Sequence, residues 1–147
     1  MKYIKLFIYG LILFLVACSE APKTGPVKIK FDRDSCEKCR MLISDRYHAA
    51  QVRGGEKQQA HKFDDIGDAV SWLAEQPWKD DTKTEIWVTD HRTGEWLNAR
   101  QAWYVREKQT PMNYGFSAET EQRETAIDYT TMVKGAIKIS GKHHHNE

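Results

Sequence analysis

Six consecutive residues, Cys36-Glu37-Lys38-Cys39-Arg40-Met41, bring two thiols and a thioether together. That donor mix favours Cu(I), whereas zinc and iron sites call on more thiolates or imidazoles and make little use of thioether sulfur. Cys39 and Met41 are two residues apart, so they share one side of an extended backbone and splay apart on a helix. A Cys-x-Met grip on one ion therefore requires a strand end or a loop. The same residues admit another reading, in which Met41 heads the apolar run Met41-Leu42-Ile43 as core and Cys36 and Cys39 form a disulfide or redox pair. A thioredoxin-like pair needs a helix that starts at Cys36 and lowers its thiol pKa. Ser44-Asp45 breaks the run too soon for that helix. A structural zinc site needs about four ligands, and only two thiols stand here beside scattered histidines.

Other donors are spread along the chain. Met112 sits in the polar loop Lys108-Gln109-Thr110-Pro111-Met112-Asn113, where it belongs to no apolar stripe. It is a candidate third sulfur ligand with Cys39 and Met41, whereas Met132 lies on a helical stripe and reads as core. Cys36 and His48, the latter on a strand beside the sulfur loop, are candidate auxiliaries. His61 and His91 read as surface or capped residues. His143-His144-His145 lies in a polar tail, 141–147, that builds no preorganised site. Asp64-Asp65 reads as the start of a helix.

Before these residues stands a targeting segment. Met1 to Lys5 is a short positive end and Leu6 to Val16 an apolar run, well short of the ~20 residues of a spanning helix. Leu15-Val16-Ala17-Cys18 resembles the bacterial lipoprotein cleavage box. Residues 1–17 are thus expected to be a signal peptide and Cys18 a lipid carrier. Ser19, by resemblance to Gram-negative lipoproteins, suggests a periplasm-facing position on the outer membrane. Residues 18–26, with two prolines and a glycine, have the composition of a tether. The net charge is +1, and loss of Lys2 and Lys5 with the leader brings it to about −1, so no field for nucleic acid is implied. Charged residues make up 29% of the chain and are interspersed with apolar ones, including five Trp, so the body reads as globular.

The elements that must position the donors follow from periodicity. Val27 to Phe31 and Tyr47 to Val52 alternate as strands, the second closed by Gly54-Gly55. From Asp64-Asp65 a helix carries Ile66, Ala69, Val70 and Leu73 on one stripe until Pro77. Glu85 to Thr89, Glu95 to Leu97, Ala102 to Val105 and Tyr114 to Ala118 are expected strands. Thr120-Glu121 is expected to cap a second helix ending at Gly135, with Ala136 to Ile139 as a last strand. The class is α+β: two ββαβ-like halves, about 27–90 and 95–140, in one body spanning 27–140.

Six motifs in register now carry a resemblance. Cys36-x-x-Cys39-x-Met41, Tyr47-His48-Ala49-Ala50-Gln51-Val52 and Phe63-Asp64-Asp65-Ile66-Gly67 come first. Trp87-Val88-Thr89-Asp90 with Thr93-Gly94-Glu95-Trp96, Ala102-Trp103-Tyr104-Val105 and Thr110-Pro111-Met112-Asn113-Tyr114-Gly115 follow. Their order resembles that of the NosL family of nitrous-oxide reductase accessory lipoproteins. The resemblance implies a non-enzymatic Cu(I) carrier that docks on a copper-receiving maturation complex or on the reductase itself, with Cys39, Met41 and Met112 as ligands. The alternative is a thiol-disulfide oxidoreductase or redox sensor using Cys36 and Cys39. Arg40 stands where the family has glycine, so a loop needing positive φ is strained there. Glu119 stands where an aromatic residue is expected.

Overall fold

The structure is a computed structural model that describes residues 23–143. The signal peptide, Cys18, most of the tether and the tail from His144 onward lie outside the described residues. Among the described residues no helix is long and apolar enough to cross a membrane.

The architecture is α+β. Strands β1 (Ala50–Gly54), β2 (Gln59–Phe63), β3 (Glu85–Thr89) and β4 (Trp96–Asn98) form an antiparallel sheet of order β2-β1-β3-β4. Val52 faces His61 on one side and Ile86 on the other. Strands β5 (Trp103–Arg106) and β6 (Phe116–Glu119) make a second antiparallel pair. A parallel bridge from Asp90 to Ala118 ties it to the end of β3. Helix α1 (Ile66–Ala74) packs on β1 and β2 and against helix α2 (Tyr129–His143), which also reaches β5. The core runs through Val52, Phe63, Ile66, Ile86, Val88, Tyr104 and Met132, all at most 2% exposed. Burying a side chain of this size contributes about 1.5–3 kcal/mol.

Several elements match their expected spans, and others do not. Helix α1 starts at the expected place, with Asp65 as N-cap accepting from the Gly67 N–H at 2.8 Å. Strand β3 has the expected bounds. The stretch Val27 to Phe31 is not a strand, because side chains rather than a backbone ladder satisfy it. The Gln51 amide accepts from the Val27 N–H and donates to the Val27 carbonyl, at 2.9 and 2.7 Å. Strand β2 takes its place as the second member of the first ββαβ unit.

In the second half the helix does not begin at Thr120-Glu121. Ile127 exchanges two backbone hydrogen bonds with Tyr104, which holds that segment against β5, and the helix starts only after Asp128 accepts from the Thr131 N–H at 2.8 Å. Nor does Gly135 end it, and the strand expected at Ala136 to Ile139 is helical. Met132, Ala136 and Ser140 form its buried face, four residues apart each time. Gly135 lies inside the helix because a Cβ there would stand 2.7 Å from Cζ of Phe116. The second half is therefore three strands and a helix, without a closing strand.

Candidate metal-binding cleft

The sulfur loop is a miniature hairpin. Ser35 and Leu42 form an antiparallel bridge, the Cys36 N–H donates to the Met41 carbonyl at 2.8 Å, and the Arg40 N–H donates to the Cys36 carbonyl at 3.1 Å. Arg40 closes the turn at φ +65°. The segment between Cys39 and Met41 is thus a left-handed bend rather than an extended strand, at the position where a side chain costs about 1 kcal/mol relative to glycine. The Glu37 N–H donates to the Lys62 carbonyl at 2.8 Å, which docks the loop on β2. The Cys39 N–H points at the Cys36 sulfur, 3.4 Å away. Both cysteines are free thiols, Cys36 fully buried and Cys39 half-buried.

Opposite this hairpin stands the first turn of α1, and it brings in residues that the sequence reading used only as a helix start. Cys36 Sγ lies 3.4 Å from Asp68 Oδ2, and Cys39 Sγ lies 3.6 Å from Asp64 Oδ1. One donor atom from each of Cys36, Cys39, Asp64 and Asp68 falls within 4.8 Å of all the others. Asp68 lies in the first turn of α1, while Asp64 stands one residue before its extended N-cap, so the pair is brought together by the bend that opens the helix and not by helical spacing.

Asp65, between them, holds the methionine loop. Its Oδ2 accepts from the Thr110 hydroxyl at 2.7 Å and from the Met112 N–H at 3.1 Å. Tyr114 completes the attachment. Its ring lies on Gly67, where any Cβ would collide with it, and its hydroxyl donates to Asp68 Oδ1 at 3.1 Å. The segment that opens α1 therefore meets the cysteine loop through Asp64 and Asp68 and the methionine loop through Asp65 and Asp68.

Between the loops opens a cleft of about 410 Å³, lined by Met41, Leu42, Asp45, Asp64 and the 109–111 segment among others. Met41 is 54% exposed, which removes the reading of this methionine as core. Met112 is half-buried against the core beside that segment. Of the sulfur donors singled out in the sequence, Cys39 and Met41 thus both border Asp64, and Met112 belongs to the loop that forms the other wall. His48 is engaged elsewhere. Its Nδ1 pairs with Asp45 at 2.9 Å, and its Nε2 meets Glu107 at 3.1 Å and the Ser117 hydroxyl at 3.0 Å.

Burial favours the protonated forms of the groups beside the cleft. Burial pushes the Cys36 and Cys39 thiols up, Cys39 far above its ordinary range with the neighbouring Cys36 adding to the effect. Burial likewise raises the Asp64 and Asp65 carboxyls. Such a site is poor at supplying a thiolate to an organic electrophile and well suited to exchanging protons for a cation, because a bound metal deprotonates the thiol it binds.

With this geometry described, three comparisons bear on the chain. The family model described as NosL matches residues 26–140. The crystal structure of the copper chaperone NosL from Shewanella denitrificans is similar, with a TM-score of 0.55 and 19% identity over 78% of this chain and 88% of that chain. At that identity the likeness establishes a shared fold. No curated protein matches.

Proposed function

Because the chain belongs to the NosL family, we propose that it is a copper carrier in which the Cys39 thiolate, Met41 and Met112 hold one Cu(I) as cargo. The observation that carries this reading is the cleft itself, bounded by the Cys39–Met41 bend on one side and the Met112 loop on the other, both attached to the first turn of α1. Thiolate and thioether are the soft donors that Cu(I) prefers. An open, two- or three-coordinate site leaves the ion accessible to a partner's donors, so it transfers by ligand exchange without release to water. The name of the similar copper chaperone points the same way.

Delivery to a maturation complex or to nitrous-oxide reductase, a lipid on Cys18 and a periplasm-facing outer-membrane position belong to the same reading. Family membership and the Leu15-Val16-Ala17-Cys18 box support them. The oxidoreductase alternative is disfavoured, because the cysteines sit in a hairpin rather than at a helix start and burial raises both thiols.

Anaerobic Cu(I) titration of the reduced protein against a chromophoric chelator tests the site. One Cu(I) per chain is expected, with Cys39→Ser costing the most affinity and Met41→Ala and Met112→Ala less. Unchanged affinity in Cys39→Ser contradicts the proposal. A Cys36–Cys39 disulfide consumes the thiolate, so the oxidised protein is expected to load no Cu(I).

A further inference from the structure

The chain enters the body on one face of the larger sheet. Val52 points from β1 into the core under α1, so Gln51 and Arg53, one residue out of phase, point to the opposite face. There Gln51 holds Val27 by two hydrogen bonds. Arg53 Nε donates to the Gly25 carbonyl at 3.0 Å, and the Gly25 N–H donates to Glu85 at 2.7 Å. The chain is thus fixed to the body from Gly25 onward. Gly25 stands seven residues after Cys18, and seven residues reach about 25 Å at most. A body of this size is about 35 Å across. A lipid on Cys18 therefore keeps this face of the sheet, and not the helical face, toward the bilayer.

Independently of the tether, that face has the chemistry of an anionic lipid surface's partner. A groove of about 540 Å³ opens there, walled by Lys28 and Arg46 and lined by Phe31, Tyr47 and Trp96 among others. Trp96 pairs with Thr89, the residue out of phase with the core residue Val88. The Arg46 guanidinium lies over the Phe31 ring at 5.2 Å, and Tyr47 is 43% exposed. Lys28, Lys30, Arg33 and Arg46 are exposed and enter none of the ion pairs formed by the described residues. In the bordering segments only Asp32 and Glu95 are exposed acids, because Asp34 is held by Lys62 and Asp45 by His48. Clustered Lys and Arg beside an anchor are drawn to anionic phospholipid, and amphipathic aromatic rings settle at headgroup level.

We propose that this groove and the basic segment 27–33 beside it dock on the anionic phospholipid of the membrane that the Cys18 anchor enters, with Lys28 and Arg46 meeting headgroup phosphates. The proposal rests on the lipidation in the proposed function and not on copper binding. A tether alone leaves the body free to turn, and docking fixes it. Asp45 lines the metal cleft and the adjacent Arg46 lines the groove, so the docked body holds its cleft beside the membrane surface. A membrane-associated partner then meets the cleft in one orientation.

The test uses the mature acylated protein inserted in vesicles of phosphatidylcholine, with and without phosphatidylglycerol, and reads backbone hydrogen exchange. Slower exchange in 27–33 and 44–48 is expected in the phosphatidylglycerol vesicles alone, and high salt should abolish it. Lys28→Gln and Arg46→Gln should each shift the docked population by about fivefold, and the double variant should exchange as it does on phosphatidylcholine while its Cu(I) affinity stays that of the parent. Equal exchange in both vesicles, protection indifferent to salt and to both substitutions, or protection on α1 and α2 instead overturns the proposal. Intact mass reads the anchor separately. If Cys18 carries no acyl chain, the anchor is retired and the surface is judged on flotation of that protein with phosphatidylglycerol vesicles: salt-sensitive flotation keeps it, and none overturns it.

Discussion

Among the described residues, the histidine–acid cluster around Glu107 and the thiol–acid cluster at the start of α1 are built on opposite principles. In one, His48 bridges Asp45 and Glu107, His91 bridges Glu107 and Glu119, and Arg123 reaches Glu119 at 3.1 Å, so every acid has a base. In the other, the partners of Asp64, Asp65 and Asp68 among the described residues are thiols, hydroxyls and backbone N–H groups. The first cluster sets each acid beside a basic side chain and works as a clamp joining the Asp45 turn, β5 and β6. The second has no cationic partner among the described residues. A buried acidic or sulfur-bearing cluster therefore points to a ligand when its own protein fails to neutralise it, and to architecture when it succeeds. Asp45 touches both regions, as a partner of His48 and as part of the cleft wall.

Breaking the clamp should have the largest effect on folding. His91→Ala removes a base from Glu119, whose side chain is fully buried, and is expected to cost about 2–3 kcal/mol in urea unfolding while Cu(I) affinity stays near that of the parent. Asp65→Ala acts on the other region. It deletes the α1 N-cap and the two hydrogen bonds that Asp65 makes to Thr110 and Met112, so about 1–2 kcal/mol should be lost, and Cu(I) affinity should fall with it because the Met112 backbone loses its anchor. If Asp65→Ala leaves copper affinity intact, the loop attachment does not position the ligand.

The two regions also respond to pH with opposite signs in the metal-free protein. Burial opposes charge on His48, but Asp45 and Glu107 outweigh it and hold its pKa above the ordinary 6.5. Burial likewise pushes Glu107 up, yet the Ser117 and His48 hydrogen bonds and the two imidazoles bring it below 4.5. The His48 contribution is full below pH 6.5 and fades as pH rises through its folded value. That of Glu107 is full above pH 4.5 and fades as pH falls through its folded value. The clamp thus contributes most between about pH 4.5 and 6.5. Asp64, raised mainly by burial from 3.8, destabilises the fold progressively as pH climbs through its folded value. His48→Gln should therefore lose more stability at pH 6 than at pH 9, and Asp64→Asn should gain more at pH 7 than at pH 4, both read from urea unfolding at each pH. Flat difference profiles would remove the distinction.

The smallest effect concerns the turn between the two cysteine-loop donors. Arg40→Gly relieves the left-handed strain at φ +65° and is expected to stabilise the metal-free protein by up to about 1 kcal/mol, read as a rise in melting temperature.

Which parts of this were legible in the sequence follows from what each part depends on. Helix α1 and strand β3 carry strong apolar periods of their own and matched their expected spans. Strand β2, Gln59-Ala60-His61-Lys62-Phe63, has no such alternation and exists through its pairing with β1. Gly135 looked like a helix stop because its function is spatial, admitting the Phe116 ring. The sulfur loop and the Met112 loop were recognisable from donor chemistry. Asp64 and Asp68 were not, because a pair of acids beside a helix start has a local explanation, and only the docking of the cysteine hairpin on α1 gives them a chemical one. Glu119, out of place as a sequence departure, is a member of the clamp.

The central claim, that soft donors from two loops share one ion, is tested most directly by X-ray absorption on the Cu(I)-loaded protein. The account predicts a first shell of sulfur scatterers, reduced by one when Met112 is replaced by Leu and rebuilt with lighter atoms when Cys39 is replaced by Ser. A shell of nitrogen and oxygen in the parent, or a sulfur shell indifferent to both substitutions, would contradict it.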